Sequence, residues 1–172
     1  MKALASLMLL SLSLLVGCAQ TQQEAETTEP AEPARGLVEG VWRLSQVTIT
    51  GGPNEGTIPN PQPSLYMFGQ RHYSIMRVNG TEARPLWPEG VGRADLTDSQ
   101  VRATFGPFIA NAGEYETDGT MITTRPIVAL SPNFMSGGSE TFVYQVEGDQ
   151  LVLVDTTVTP ATEVRFTLTR LE

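Results

Sequence analysis

A single cysteine, a single histidine and a single lysine in 172 residues remove most site chemistry before any pattern is read. Without a second cysteine no intramolecular disulfide forms, and a Cys/His zinc site cannot be assembled. Lys2 is the only lysine, so none is left for a Schiff base or a phosphate loop. A Ser-His-Asp triad would have to use His72, and no serine stands in a nucleophile-elbow context. The carboxylate pairs Glu114/Glu116 and Glu147/Asp149 fall beside turn residues, where solvated charge is the rule. No catalytic residue, metal site or cofactor is therefore expected. Positive charge is scarce as well: 11 Lys and Arg stand against 19 Asp and Glu, for a net charge of −8. That balance argues against nucleic acid or anionic lipid headgroups as partners.

Long apolar runs are also lacking. The longest, residues 3–16, follows the charged start Met1-Lys2 and is short for a bilayer span, which is the layout of a secretory signal. It ends in Leu15-Val16-Gly17-Cys18, which resembles the bacterial lipobox; the alternative is an ordinary export signal that contains a cysteine. The resemblance implies cleavage before Cys18 and acylation of that residue, and several acyl chains anchor stably where one is marginal. Residues 1–17 are thus expected to be a lipoprotein signal peptide. Ala19, where an inner-membrane retention signal typically has aspartate, fits transport to an outer membrane. The expected location is the cell envelope, lipid-anchored and facing the periplasm. Residues 18–37 are rich in Glu, Thr and Pro and poor in large apolar side chains, the composition of a disordered tether.

The domain is expected over residues 38–172, as a monomer. Short alternating runs bounded by turn residues read as strands at 41–50, 65–68, 71–78, 114–117, 120–128, 140–146, 150–155 and 162–170. Asp118-Gly119 is a strong hairpin signal, Glu147-Gly148-Asp149 links another pair, and a turn is expected at Pro160. Residues 53–63 are proline-rich and read as a loop. Thr97 and Gln100 form a capping box for a short helix. Phe105 and Phe108 continue the helical spacing across a break at Gly106-Pro107, so a short broken helix is expected over one barrel end. Eight strands in meander order predict an all-β, antiparallel up-and-down barrel, with a two-sheet sandwich as competitor.

Gly40-x-Trp42 opens the first strand and Arg170 ends the last. A guanidinium lying across the indole would contribute about 0.5–2 kcal/mol. With eight strands between them, these residues resemble the lipocalin-like, or calycin, proteins. The stretches 65–68, 71–78, 105–113, 123–128 and 133–135 are similar to bacterial lipocalin-like domains of no settled activity. The chain departs from secreted animal lipocalins in having no disulfide and in its mid-chain helix. The resemblance implies a barrel with an interior cavity and structural roles for Gly40, Trp42 and Arg170; it does not imply a particular ligand.

Candidate site residues are the polar, methionine and aromatic side chains within apolar strands. His72, Ser74, Met76 and Val78 share one face of their strand, and Arg71, Tyr73, Ile75 and Arg77 share the other. Period alone does not say which face points inward. Tyr66, His72, Arg77, Arg125 and Tyr144 are candidates for the head of a small amphipathic ligand. Met76, Met121 and Phe134, with Met67 and Met135, are candidates for its tail. Against this stands a filled, ligand-free core with the arginines paired or outside. The function expected is a membrane-anchored periplasmic lipoprotein binding a small hydrophobic or amphipathic molecule. The alternatives are a cofactor-free barrel enzyme (isomerase, cyclase or hydrolase) using His72 or a buried carboxylate, and a ligand-free envelope interaction module.

Overall fold

A computed structural model describes residues 35–157 and 162–172. The expected signal peptide, Cys18, most of the tether and the turn at Pro160 lie outside the described residues. Nine strands are seen: β1 (Gly40–Thr50), β2 (Gly56–Pro59), β3 (Ser64–Phe68), β4 (His72–Val78), β5 (Phe108–Thr117), β6 (Met121–Ala129), β7 (Glu140–Glu147), β8 (Gln150–Asp155) and β9 (Glu163–Arg170). Three short helices accompany them: α1 (Arg35–Val38), α2 (Asp98–Phe105) and α3 (Pro132–Met135).

Eight strands close into an antiparallel barrel, in the order β1-β3-β4-β5-β6-β7-β8-β9, with β9 returning to β1. The ninth, β2, pairs with the second half of β1, on the edge that β3 uses for the first half. Residues 60–63 therefore interrupt what is in effect one strand. Part of the proline-rich segment read as a loop joins the sheet: Pro59 sits at its end, where the missing N–H matters least.

Local sequence explains the joints. Glu147 and Gln150 face each other across Gly148-Asp149, and Gly148 takes the left-handed φ of 57° that such a tight hairpin needs. Thr97 caps α2 by accepting from the Gln100 N–H while the Gln100 side chain accepts from the Thr97 N–H. The helix ends at Phe105, and Phe108 starts β5 rather than a second helical segment. Gly106 is still helical, at φ −58° and ψ −42°, but Pro107 has no N–H to continue the i→i−4 ladder, and the helix stops there.

One end of the barrel is closed by β1 and β9. Trp42 is fully buried, and its indole N–H donates to the Val38 carbonyl at 2.8 Å, which ties α1 beneath the barrel. The Arg170 guanidinium lies 4.0 Å from the Trp42 ring centroid and donates to the carbonyls of Glu39 at 2.6 Å and Leu37 at 3.0 Å. Gly40 is required here: at φ 139°, a side-chain carbon would stand 2.5 Å from the Glu172 carbonyl and 2.6 Å from Arg170 Nη1. Phe68, Tyr115, Ile122, Phe142, Leu151, Leu153 and Leu168 fill the interior above this plug. Ser45 forms a bulge in β1 that moves the inward phase from Trp42 and Leu44 to Val47 and Ile49.

The opposite end is open. β6 pairs with β7 only as far as Thr124 and Glu140, so residues 125–129 run on beyond β7 while still paired to β5. The gap beside this overhang forms one side of the mouth, and α3 packs against β6 there. Among the described residues, no helix is long and apolar enough to cross a membrane.

Candidate functional site

The inward face of β4 carries Tyr73, Ile75 and Arg77, and that of β3 carries Tyr66. Neighbouring strands bring Asn111 from β5, Thr124 from β6, Glu140 from β7 and Asp155 from β8. These residues enter with the same alternation that supplies the apolar core below them. Glu140 shares the phase of Phe142 and Tyr144, and Asp155 that of Leu151 and Leu153. The polar set therefore forms the upper part of one interior.

Arg77 organises it. Its Nη1 donates to the Tyr66 hydroxyl at 3.3 Å, and its guanidinium carbon lies 4.8 Å from the Phe166 ring centroid. Among the described residues no carboxylate reaches it within ion-pair distance; its Nε is buried and has no hydrogen-bond partner. Burial works against its charge, but the Tyr66 hydroxyl and the fields of Glu140 and Asp155 outweigh that and hold its pKa above the ordinary arginine value. Burial pushes the Tyr66 hydroxyl up, against the pull of Arg77. Burial likewise pushes Tyr73 up to about 12, with nearby Thr124 opposing and Glu140 adding to the rise. The Tyr73 hydroxyl nevertheless lacks a well-formed hydrogen bond, as does Asn111 Oδ1.

Glu140 is held above the usual carboxylate range: burial raises it, Arg77 opposes without prevailing, and Asp155 adds to the rise. Asp155 sits at the rim, where its Oδ1 accepts from the Thr157 N–H at 2.8 Å and hydroxyl at 2.6 Å. Buried polar atoms are nearly always satisfied by protein or water, so three orphans among the described residues single out this interior as the candidate site.

Two cavities open at this end. The one beside the β6 overhang has a volume of about 350 Å³, with Asn111 and Glu140 at its polar side and Phe105, Phe108, Leu130 and Phe134 among its apolar walls. That is at the lower end of the roughly 300–1,000 Å³ of small-molecule sites. The other, about 240 Å³, lies between β1, β4 and β9 and is reached by Arg77 and Phe166.

Of the residues expected from the sequence to meet a ligand, Tyr66 and Arg77 come together in this interior, and Phe134 lines the larger cavity. Tyr144 is buried on the inward face lower down and accepts from the Thr117 hydroxyl at 3.3 Å. His72 is exposed where β4 begins, on the face opposite to Tyr73. Met76 lies in an outer groove with Leu65 and Arg84, and Met121 is partly exposed at the start of β6. Arg125 pairs with Glu116 at 2.7 Å on the outer surface. These four do not join the cluster.

Tyr73, Asn111, Thr124, Glu140 and Asp155 complete the set, and of these only Tyr73 shares with Arg77 a face read from the sequence. The available signal was phase: Glu140 and Asp155 each extend an apolar alternation by one step. Among the described residues no group of three or more His, Cys, Asp or Glu could hold a metal ion. No family model matches the chain, and no curated protein matches it.

Proposed function

We propose that this chain is a periplasm-facing lipoprotein, anchored through acylated Cys18 in the outer membrane, whose barrel binds a small hydrophobic or amphipathic molecule through its open end. The observation that carries the binding part is the mouth itself: apolar walls around a cavity of about 350 Å³ meet the unpartnered, buried Asn111 Oδ1 and the Glu140 carboxyl at its inner side. A hydrocarbon tail gains about 25 cal/mol per Å² of apolar surface removed from water, and a polar head can satisfy the orphaned atoms. The anchor rests on the sequence before the domain, where position, apolar run, small residue and cysteine agree.

Native mass spectrometry of the purified protein, with gentle unfolding to release what it holds, tests the binding reading. A retained lipid-like mass is expected; an apo mass together with no calorimetric binding across a fatty-acid and neutral-lipid panel would overturn it. Labelled palmitate incorporation that persists in Cys18→Ser would overturn the anchor.

A second reading, a cofactor-free enzyme, is favoured by one observation. Glu140 is a cavity carboxyl with a raised pKa beside an arginine and tyrosines, the environment of a general acid or base. His72, exposed on the outer face, has no place in that chemistry. The same spectra separate the two: a binding protein releases its ligand with unchanged mass, and an enzyme converts it.

A further inference from the structure

The larger cavity has an unusual polar inventory. Among the described residues no arginine lines it, and Glu140 is the only ionisable one in its wall. Asn111 is 6% exposed, and its side-chain Oδ1 is buried with no hydrogen-bond partner among the described residues. An amide offers two donor hydrogens and an acceptor oxygen, so its complement is a group that both accepts and donates. Beside it, Glu140 adds a carboxyl whose charged form is disfavoured by burial. A carboxylate head would be brought against a carboxyl with no cation among the described wall residues, and Arg77, in the same interior, already lies in the field of two acids. A cationic head would lose its hydration while sharing the interior with Arg77.

We propose that the head group seated in the larger mouth cavity is neutral and carries both a hydrogen-bond donor and an acceptor, as a monoacylglycerol or a primary fatty amide does. Asn111 is the residue that reads it, Glu140 takes a donated hydrogen, and Phe105, Phe108, Leu130 and Phe134 cover the first part of the chain. This rests on the ligand-binding reading above and specifies its ligand class.

The test uses the full chain carrying Cys18→Ser, which removes the acyl chains that would compete for the cavity. Calorimetry compares four probes of one tail: monododecanoylglycerol, dodecanamide, dodecanoate and dodecylamine. The first two are expected to bind about tenfold or more tightly than the last two. Asn111→Leu should remove that preference. His72→Gln, on the exposed outer face and away from the cavity wall, should leave it intact, and the urea midpoint of Asn111→Leu guards against a folding defect in that variant. Dodecanoate or dodecylamine binding as tightly as the neutral probes overturns the head-group inference while the ligand-binding reading stands. A preference that survives Asn111→Leu in a folded protein removes Asn111 as its reader. No binding by any probe overturns the ligand-binding reading with it.

Discussion

The Arg170 guanidinium stacks on the Trp42 indole at 4.0 Å while donating to two carbonyls of the chain entering the barrel. One residue near the end of the chain thus fastens the start of the first strand, and Asp149 at 3.9 Å adds little at its exposed position. Truncation in Arg170→Ala removes the stack and leaves both carbonyls to water. A loss of about 2–4 kcal/mol is expected from the urea midpoint. Arg170→Lys should recover less than half, because an ammonium has neither the planar face nor the fork. A loss within about 0.5 kcal/mol for alanine would show that the contact is ornamental to stability.

Gly40 is held by the same closure. Its φ of 139° disfavours any side chain, and the space a methyl would occupy is taken by the Glu172 carbonyl and Arg170 Nη1. Gly40→Ala should cost about 1–3 kcal/mol in thermal or urea unfolding. The pair Gly40→Ala and Arg170→Ala should lose less than the sum, because one of the two clashes disappears with the guanidinium. Strict additivity would place the cost in the backbone alone.

The closing strands were legible because their residues are few and specific: a glycine, a tryptophan two places on, and an arginine at the end of the last run. The open end was harder to read. Alternation groups Tyr73, Ile75 and Arg77 on one face of β4 and His72, Ser74 and Met76 on the other, yet both sets mix polar with apolar side chains. What decides is the neighbour across the barrel, Phe166 and Tyr66 around Arg77, and that is not local information. Asn111 was hidden for another reason, because the spacing of Phe105 and Phe108 carries a helical period across Gly106-Pro107 into what is β5. Glu140 and Asp155 stand at strand ends, where a charge reads as solvated unless the opposite strands are known to tilt over it.

Arg77 acts on Glu140 through space, and that coupling is measurable. Its positive charge opposes the rise that burial imposes on the Glu140 carboxyl. Arg77→Met keeps a long apolar stem in the interior and removes the charge. The Glu140 pKa, followed by carbon-13 carboxyl titration, should move further up in this variant. An unchanged or lower value would mean that the guanidinium field does not reach the carboxyl.

Glu140 also gives the fold a pH dependence whose sign follows from the direction of its shift. Its folded-state pKa lies above the ordinary value of 4.5, because burial and Asp155 together outweigh Arg77. The folded chain therefore holds this proton more tightly than the unfolded chain does. The resulting stabilisation is complete below the unfolded value and is lost as pH rises through the raised folded value. Glutamine has the same shape and no charge to desolvate, so Glu140→Gln carries no such loss. Relative to the native chain, the variant should gain stability between about pH 4 and pH 7, and urea midpoints at the two pH values measure the change. The Arg77 charge moderates the effect without reversing it, since Arg77 stays protonated across this range. A difference that stays constant with pH would mean that folding leaves the Glu140 carboxyl unshifted, and one that favours the native chain more as pH rises would mean that the ionised carboxylate is a net stabilising partner of Arg77. The interior would then be an ion-paired core, and the neutral reading of the mouth would lose its electrostatic basis.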